Sequence, residues 1–260
     1  MKYLGITCAL LVFLLGCASQ PVSTNTKEED QELAKIYKDM GIAYLRRGEV
    51  ERAQERLEKS FSIDEADSDV LYLLAEVYSR LGRTADAEAY FRKAMALKPN
   101  DPNLLNNFAV FLCSQKKYSE SEEIFIRVVN NPTYSTPYLA LENAGRCVLR
   151  NNENDKAEQY FSNALRMQAK LPNALFYMSE LQYIKGEYFK ARAFFERYLE
   201  VGAESPQMLL LGYQIEMKLG DEQMAAKYAD RLVTQYRDSE QTEILRKLTP
   251  SGDSELKPKE

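Results

Sequence analysis

Leu71-Tyr72-Leu73-Leu74-Ala75-Glu76-Val77-Tyr78-Ser79-Arg80-Leu81-Gly82 is the stretch that decides the fold. Leu71, Leu74, Tyr78 and Leu81 recur at spacings of three and four, which places them on one face of a helix. Gly82 follows as a turn, since glycine readily takes the left-handed backbone that separates two helices. Beyond it Ala87, Phe91 and Ala94 mark a second apolar stripe, and Pro99 stops that helix. Two amphipathic helices joined by a tight turn leave an apolar face that neither covers. Stacked neighbours of the same kind would bury it.

The neighbours are written in the chain at a period of 34 residues. Gly48, Gly82, Gly186 and Gly220 fall at equivalent turns, with Lys116 and Asn152 in the two intervening registers. A two-residue insertion separates the third and fourth units, within the Pro-containing loop Asn131–Pro137. Small residues recur where paired helices must approach: Gly41, Ala75, Ala109, Gly145 and Ser179 on first helices, and Ala53, Ala87, Ser121, Ala157, Ala191 and Ala225 on second ones. This pattern resembles the tetratricopeptide repeat, in six units at 34–67, 68–101, 102–135, 138–171, 172–205 and 206–239. The resemblance implies an all-α, right-handed superhelical solenoid with a concave binding surface. Unit six departs from it, with Tyr213 where a small residue is expected, and unit three lacks the turn glycine. A capping helix is expected over 240–248, with Ile244, Leu245 and Leu248 turned inward and Asp238 or Ser239 as its N-cap. Residues 249–260 read as a disordered tail.

At the other end, Met1-Lys2 and the apolar run Leu4 to Leu15 read as a secretory signal, residues 1–16. The run is too short for a bilayer core, which needs ~20 residues. Leu14-Leu15-Gly16-Cys17 resembles the bacterial lipobox. That resemblance implies cleavage before Cys17, acylation of its thiol and a flexible linker over 17–33. Ala18, where inner-membrane lipoproteins commonly carry aspartate, implies the periplasmic face of the outer membrane. An ordinary signal peptide with an incidental cysteine is the alternative.

Composition narrows the chemistry. A formal net charge of −5 and no basic patch argue against nucleic acid as a partner. Histidine is absent, which removes the commonest general base and transition-metal ligand. There is no G-x-S-x-G, Gly-rich phosphate loop or C-x-x-C. The carboxylates are scattered along helical faces. A non-enzymatic binding protein is the expectation, with no metal and no cofactor beyond the covalent lipid on Cys17.

Of four cysteines, Cys8 leaves with the signal and Cys17 takes lipid, so Cys113 and Cys147 remain. They are the twelfth residue of unit three and the tenth of unit four, both on first helices. Such helices pack ~8–10 Å apart, and a two-residue offset is ~3 Å, so a disulfide's Cα separation of ~5.5–6 Å is attainable. An oxidising periplasm favours the bond; two buried free thiols are the alternative. Positions two, five, nine and twelve of first helices usually face the concave side. They give Ile42, Leu45, Tyr72, Asn103, Asn106, Val110, Phe176 and Tyr183 as candidate partner-binding residues. Ile42 and Leu45 are apolar there, which suggests a docking surface, unless the segment Asp30 to Lys35 folds back over them. Asn107 and Asn143 read as structural.

Leu104-Leu105-Asn106-Asn107-Phe108-Ala109-Val110-Phe111-Leu112-Cys113, with Ala140-Leu141-Glu142-Asn143-Ala144-Gly145-Arg146-Cys147, resembles the PilF/PilW family of type IV pilus biogenesis lipoproteins. The family implies six such repeats, this cysteine pair and an N-terminal lipid. It further implies a pilotin role, in which the secretin subunits are the partner and are helped to reach the outer membrane and form their ring. Other pilus-assembly proteins are possible partners. The rival from lipobox plus repeats alone is an adaptor for β-barrel assembly or for peptidoglycan hydrolases.

Overall fold

The computed structural model describes residues 25–249, and there the chain is helical without a strand. In order the elements are α1 (Asn25–Arg46), α2 (Val50–Ile63), α3 (Ser68–Arg80), α4 (Thr84–Leu97), α5 (Pro102–Ser114), α6 (Tyr118–Val129) and α7 (Pro137–Arg150). They continue as α8 (Asn154–Met167), α9 (Pro172–Ile184), α10 (Tyr188–Leu199), α11 (Pro206–Leu219), α12 (Glu222–Gln235) and α13 (Glu240–Leu248). The signal, the lipobox with Cys17, and the tail from residue 250 lie outside the described residues. All six turns between paired helices adopt positive φ. Gly48, Gly82, Gly186 and Gly220 do so at 72–80°, Lys116 at 61° and Asn152 at 60°. The turn geometry thus persists where glycine does not, at a cost those two side chains carry in the left-handed region.

The chain forms two compact units, divided within α4 between Tyr90 and Phe91. In the first, α1 packs on α2 and α2 on α3. A Cβ on Gly41 would stand 2.6 Å from Leu57 Cγ, so the close approach of α1 and α2 depends on that glycine. The Ser60 hydroxyl donates to the Ala34 carbonyl at 2.8 Å, spending a buried polar group on the neighbouring helix. Asp67 caps α3 by accepting from the amides of Asp69 and Val70, and it also takes the Lys38 ammonium at 2.8 Å. Burial pushes the Asp67 carboxyl up, but those three donors outweigh it and hold the carboxyl below its usual range.

The second unit carries a line of fully buried aromatic rings: Phe108, Phe125, Phe161 and Phe195. Small residues again set the helix approach. A Cβ on Gly145 would lie 2.7 Å from the Phe161 ring, and the buried Ser121 and Ser179 hydroxyls donate to the carbonyls of Ala109 and Ala191 at 2.7 and 2.9 Å. In α13, Ser239 supplies the N-cap by accepting from the Thr242 amide, Leu245 is fully buried and Ile244 half-buried.

Four expectations are corrected. Helix α1 starts at Asn25, so the expected linker is helical from there; Lys27, Glu28, Glu29, Gln31 and Glu32 are good helix formers and Glu28 suits the first turn. Asp30 to Lys35 therefore belong to α1 itself and do not fold back over Ile42. In α11 the close-approach residue is Gly212, whose Cβ would meet Phe195 at 2.8 Å, one position before Tyr213. Finally, Leu248 is 52% exposed, because it ends a nine-residue helix and no further element covers it among the described residues.

Candidate partner-binding face

In the first unit, Ile42 is half-buried and Leu45 only 8% exposed. Leu45 is thus corrected from docking residue to core residue. It holds in α1 the register that Cys113 holds in α5, and Cys113 points at the first helix of the next pair, so Leu45 is directed into the joint of α1 with α3, which touch. Tyr72 is half-buried, with its hydroxyl donating to Glu76 at 3.4 Å. Burial foremost, and then the Glu76 carboxylate, push that phenol up to about 12, so it stays a neutral donor.

In the second unit the candidates separate into two groups. Asn103 lies exposed in the first turn of α5. Asn106 is corrected from open ligand to buried partner: at 9% exposure its side-chain oxygen accepts from Asn143 Nδ2 at 3.2 Å, tying α5 to α7. Val110, one turn further along α5, is 43% exposed. Beside it Cys113 and Cys147 are joined, with a Cα–Cα distance of 5.7 Å. Around this bond α5 and α7 leave a cleft of 260 Å³, into which Val110, Ser114, Asn143, Arg146 and Arg150 project.

Phe176 and Tyr183 belong to α9. Phe176 is half-buried, with its ring in contact with Tyr177 at 5.8 Å and Tyr198 at 5.7 Å. Tyr183 packs on Tyr188 at 5.6 Å and is not among the residues lining the cleft. The bridge between α7 and α9 is made by other residues. Arg146 sits 6.0 Å from the centroid of Tyr177, and Asn173 donates to the buried Glu142 carboxylate at 2.9 Å. Sequence reasoning missed Arg146 and Arg150 as cleft residues. Their spacing of four around Cys147 was the available signal, since it puts both cations on the helix face that carries the sulfur.

Among the described residues, no three His, Cys, Asp or Glu side chains are grouped to hold a metal, and no helix is long and apolar enough to cross a membrane. What the face offers is amide, guanidinium and aromatic groups over an apolar floor, which suits contact with another polypeptide.

Tetratricopeptide-repeat family models match residues 38–102 and 138–208, and another of the same description matches 80–141. The type IV pilus assembly protein PilF of Pseudomonas aeruginosa is 30% identical over 240 residues, covering 89% of this chain and 94% of that protein. A solved structure of P. aeruginosa PilF superposes with a TM-score of 0.74 at 27% identity, over 85% of this chain and 99% of that one. A crystal structure of PilW, described as a widely conserved type IV pilus biogenesis factor, gives 0.75 at 27% identity, over 82% and 98%. End-to-end likeness to both, together with the repeat-model matches, settles the relationship: the chain belongs to the PilF/PilW family of tetratricopeptide-repeat proteins of type IV pilus biogenesis.

Proposed function

We propose that this protein is a non-enzymatic lipoprotein of the outer membrane that binds the type IV pilus secretin through its repeats and promotes the secretin's localisation and multimerisation. The observation that carries this reading is the likeness to PilF, a type IV pilus assembly protein, along 94% of that relative's length. The lipobox resemblance at Leu14-Leu15-Gly16-Cys17 supports a lipid on Cys17 as anchor at the periplasmic face. A single acyl chain holds a protein only marginally, so more than one is expected. Repeat arrays present extended surfaces suited to proteins and peptides, and the reading needs no cofactor.

Deletion of the gene tests it. Secretin multimers are expected to disappear from the outer-membrane fraction and pilus-dependent twitching to be lost. Cys17→Ser is expected to shift the protein out of that fraction and reproduce much of the defect. Normal secretin rings in the deletion strain reject the pilotin reading, and a Cys17→Ser protein still held in the outer membrane rejects the anchor.

A further inference from the structure

The cleft between α5 and α7 combines an apolar floor with a basic rim. Val110, the Cys113–Cys147 bond and the Phe125 ring form the floor. On α7, Asn143, Arg146 and Arg150 follow at spacings of three and four, so all three stand on the helix face turned to the cleft. Among the described residues neither guanidinium is ion-paired. Other cations of this unit are ion-paired, Lys156 to Glu122 and Glu153 and Arg192 to Glu216 and Asp221. The carboxylates nearest in sequence are engaged elsewhere: Glu153, three residues past Arg150, pairs with Lys156 and accepts from Asn151, and Glu142, one turn before Arg146, is buried and accepts from Asn173 of α9. In a chain of net charge −5, two guanidiniums one turn apart in a concavity, with no carboxylate paired to either and only the Tyr177 ring beside Arg146, are complementary to an external anion.

Size identifies what the cleft can hold. Its 260 Å³ falls below the roughly 300–1,000 Å³ of small-molecule sites, so it suits one side chain of a polypeptide rather than a metabolite. We infer that the cleft binds a short extended segment of a partner protein in which an apolar side chain neighbours a carboxylate. The apolar group covers Val110 and the disulfide, and the carboxylate takes paired hydrogen bonds from Arg146 and Arg150. The disulfide fixes the two walls before the segment arrives, which lowers the ordering cost of binding. This deepens the docking role proposed above and rests on the chain acting as a protein-binding scaffold, though not on the partner being the secretin.

Fluorescence polarisation with labelled ten-residue peptides tests it on the full mature chain. One probe carries a leucine followed by two glutamates, and its control carries glutamines in their place. The acidic probe is expected to bind at least tenfold more tightly than the control, with an affinity that falls as salt is added. Arg146→Gln with Arg150→Gln is expected to reduce acidic-probe binding to the control's level while circular dichroism stays unchanged. Arg146→Lys with Arg150→Lys should retain part of the affinity, since charge persists without the planar fork. Equal binding of the two probes, or equal binding by wild type and the glutamine variant, overturns the proposal. Sedimentation showing that wild type dimerises and the glutamine variant does not would make a second copy the occupant and overturn it as well. Normal secretin rings in a deletion strain would remove the pilotin reading while leaving an acidic-peptide site measurable by these probes.

Discussion

Two joints between neighbouring first helices occupy equivalent registers and are made from different materials. In α5 and α7 the twelfth residue of one repeat and the tenth of the next are Cys113 and Cys147, joined covalently. In α1 and α3 the same registers hold Leu45 and Val77, at 8% and 0% exposure. Burial is common to both joints, so the register decides that these positions face the next repeat. Residue type decides only how the joint is closed. At the edge of the apolar joint the equivalent registers hold Glu76 and Arg80, which pair with each other, whereas the disulfide joint is flanked by two cations, Arg146 and Arg150, and stays open as a cleft.

Breaking the apolar joint should have the largest effect. Leu45→Asp puts an unpaired carboxylate where a leucine is buried, and is expected to cost at least the roughly 2–5 kcal/mol of truncating such a side chain. Thermal melting checks this, and a variant that melts like wild type would return Leu45 to the surface. Ile42→Asp, at a half-buried position, should cost clearly less.

Opening the covalent joint comes next. Cys113→Ser with Cys147→Ser releases a cross-link between residues 34 apart, worth roughly 3–4 kcal/mol in the chain-entropy model. The melting temperature should fall, and reduction of the wild type should give a similar fall. Mass spectrometry that finds both thiols free in periplasm-derived protein would remove the joint altogether.

Converting one joint into the other is the sharper test. If the registers are equivalent, Leu45→Cys with Val77→Cys should oxidise to a second disulfide without moving the backbone. The cross-link is offset by the loss of two buried aliphatic groups, so a net gain of only about 1 kcal/mol is expected. Two free thiols in that variant under oxidising conditions would show that the two joints differ in geometry and not merely in residue type.

The helix pairs were legible because the repeat restates its rules every 34 residues. Turn, close-approach and capping positions each recur, and Lys116 and Asn152 took the glycine geometry from register alone. Where the repeat slips, reading by register failed. Gly212 precedes the expected position by one residue, and the sequence offers Tyr213 there instead. Leu45 failed for a different reason. Concave positions near the end of a first helix lie at the border of the joint with the next repeat, and an apolar side chain at that border turns inward. The cleft was only half legible. Its cysteines are marked by compartment and register, but that Asn143 would bond to Asn106 and that Arg146 and Arg150 would have no carboxylate partner depends on side-chain directions across two helices.

The smallest expected effect concerns the ninth register, where α3 and α9 both carry a glutamate. Glu76 of α3 is ion-paired with Arg80 and accepts from the Tyr72 hydroxyl. Glu180 of α9 has no such partner among the described residues, and burial alone pushes its carboxyl above the usual glutamate range. A carboxyl raised in the folded state binds its proton more tightly there than in the unfolded chain. The penalty for ionising it is therefore absent at pH below the ordinary glutamate value, grows as pH rises toward the raised value, and is complete above it. Glu180→Gln removes a charge that the fold opposes, so the variant should melt slightly higher than wild type at pH 7, by roughly 1 °C once solvent screening is allowed for. That advantage should shrink as pH falls and vanish once Glu180 is protonated in both states. Glu76→Gln, which breaks bonds, should show no such gain at any pH. Parallel melting curves of Glu180→Gln and wild type from pH 4 to 8 would mean that Glu180 is compensated in solution, and would erase the distinction between the two registers.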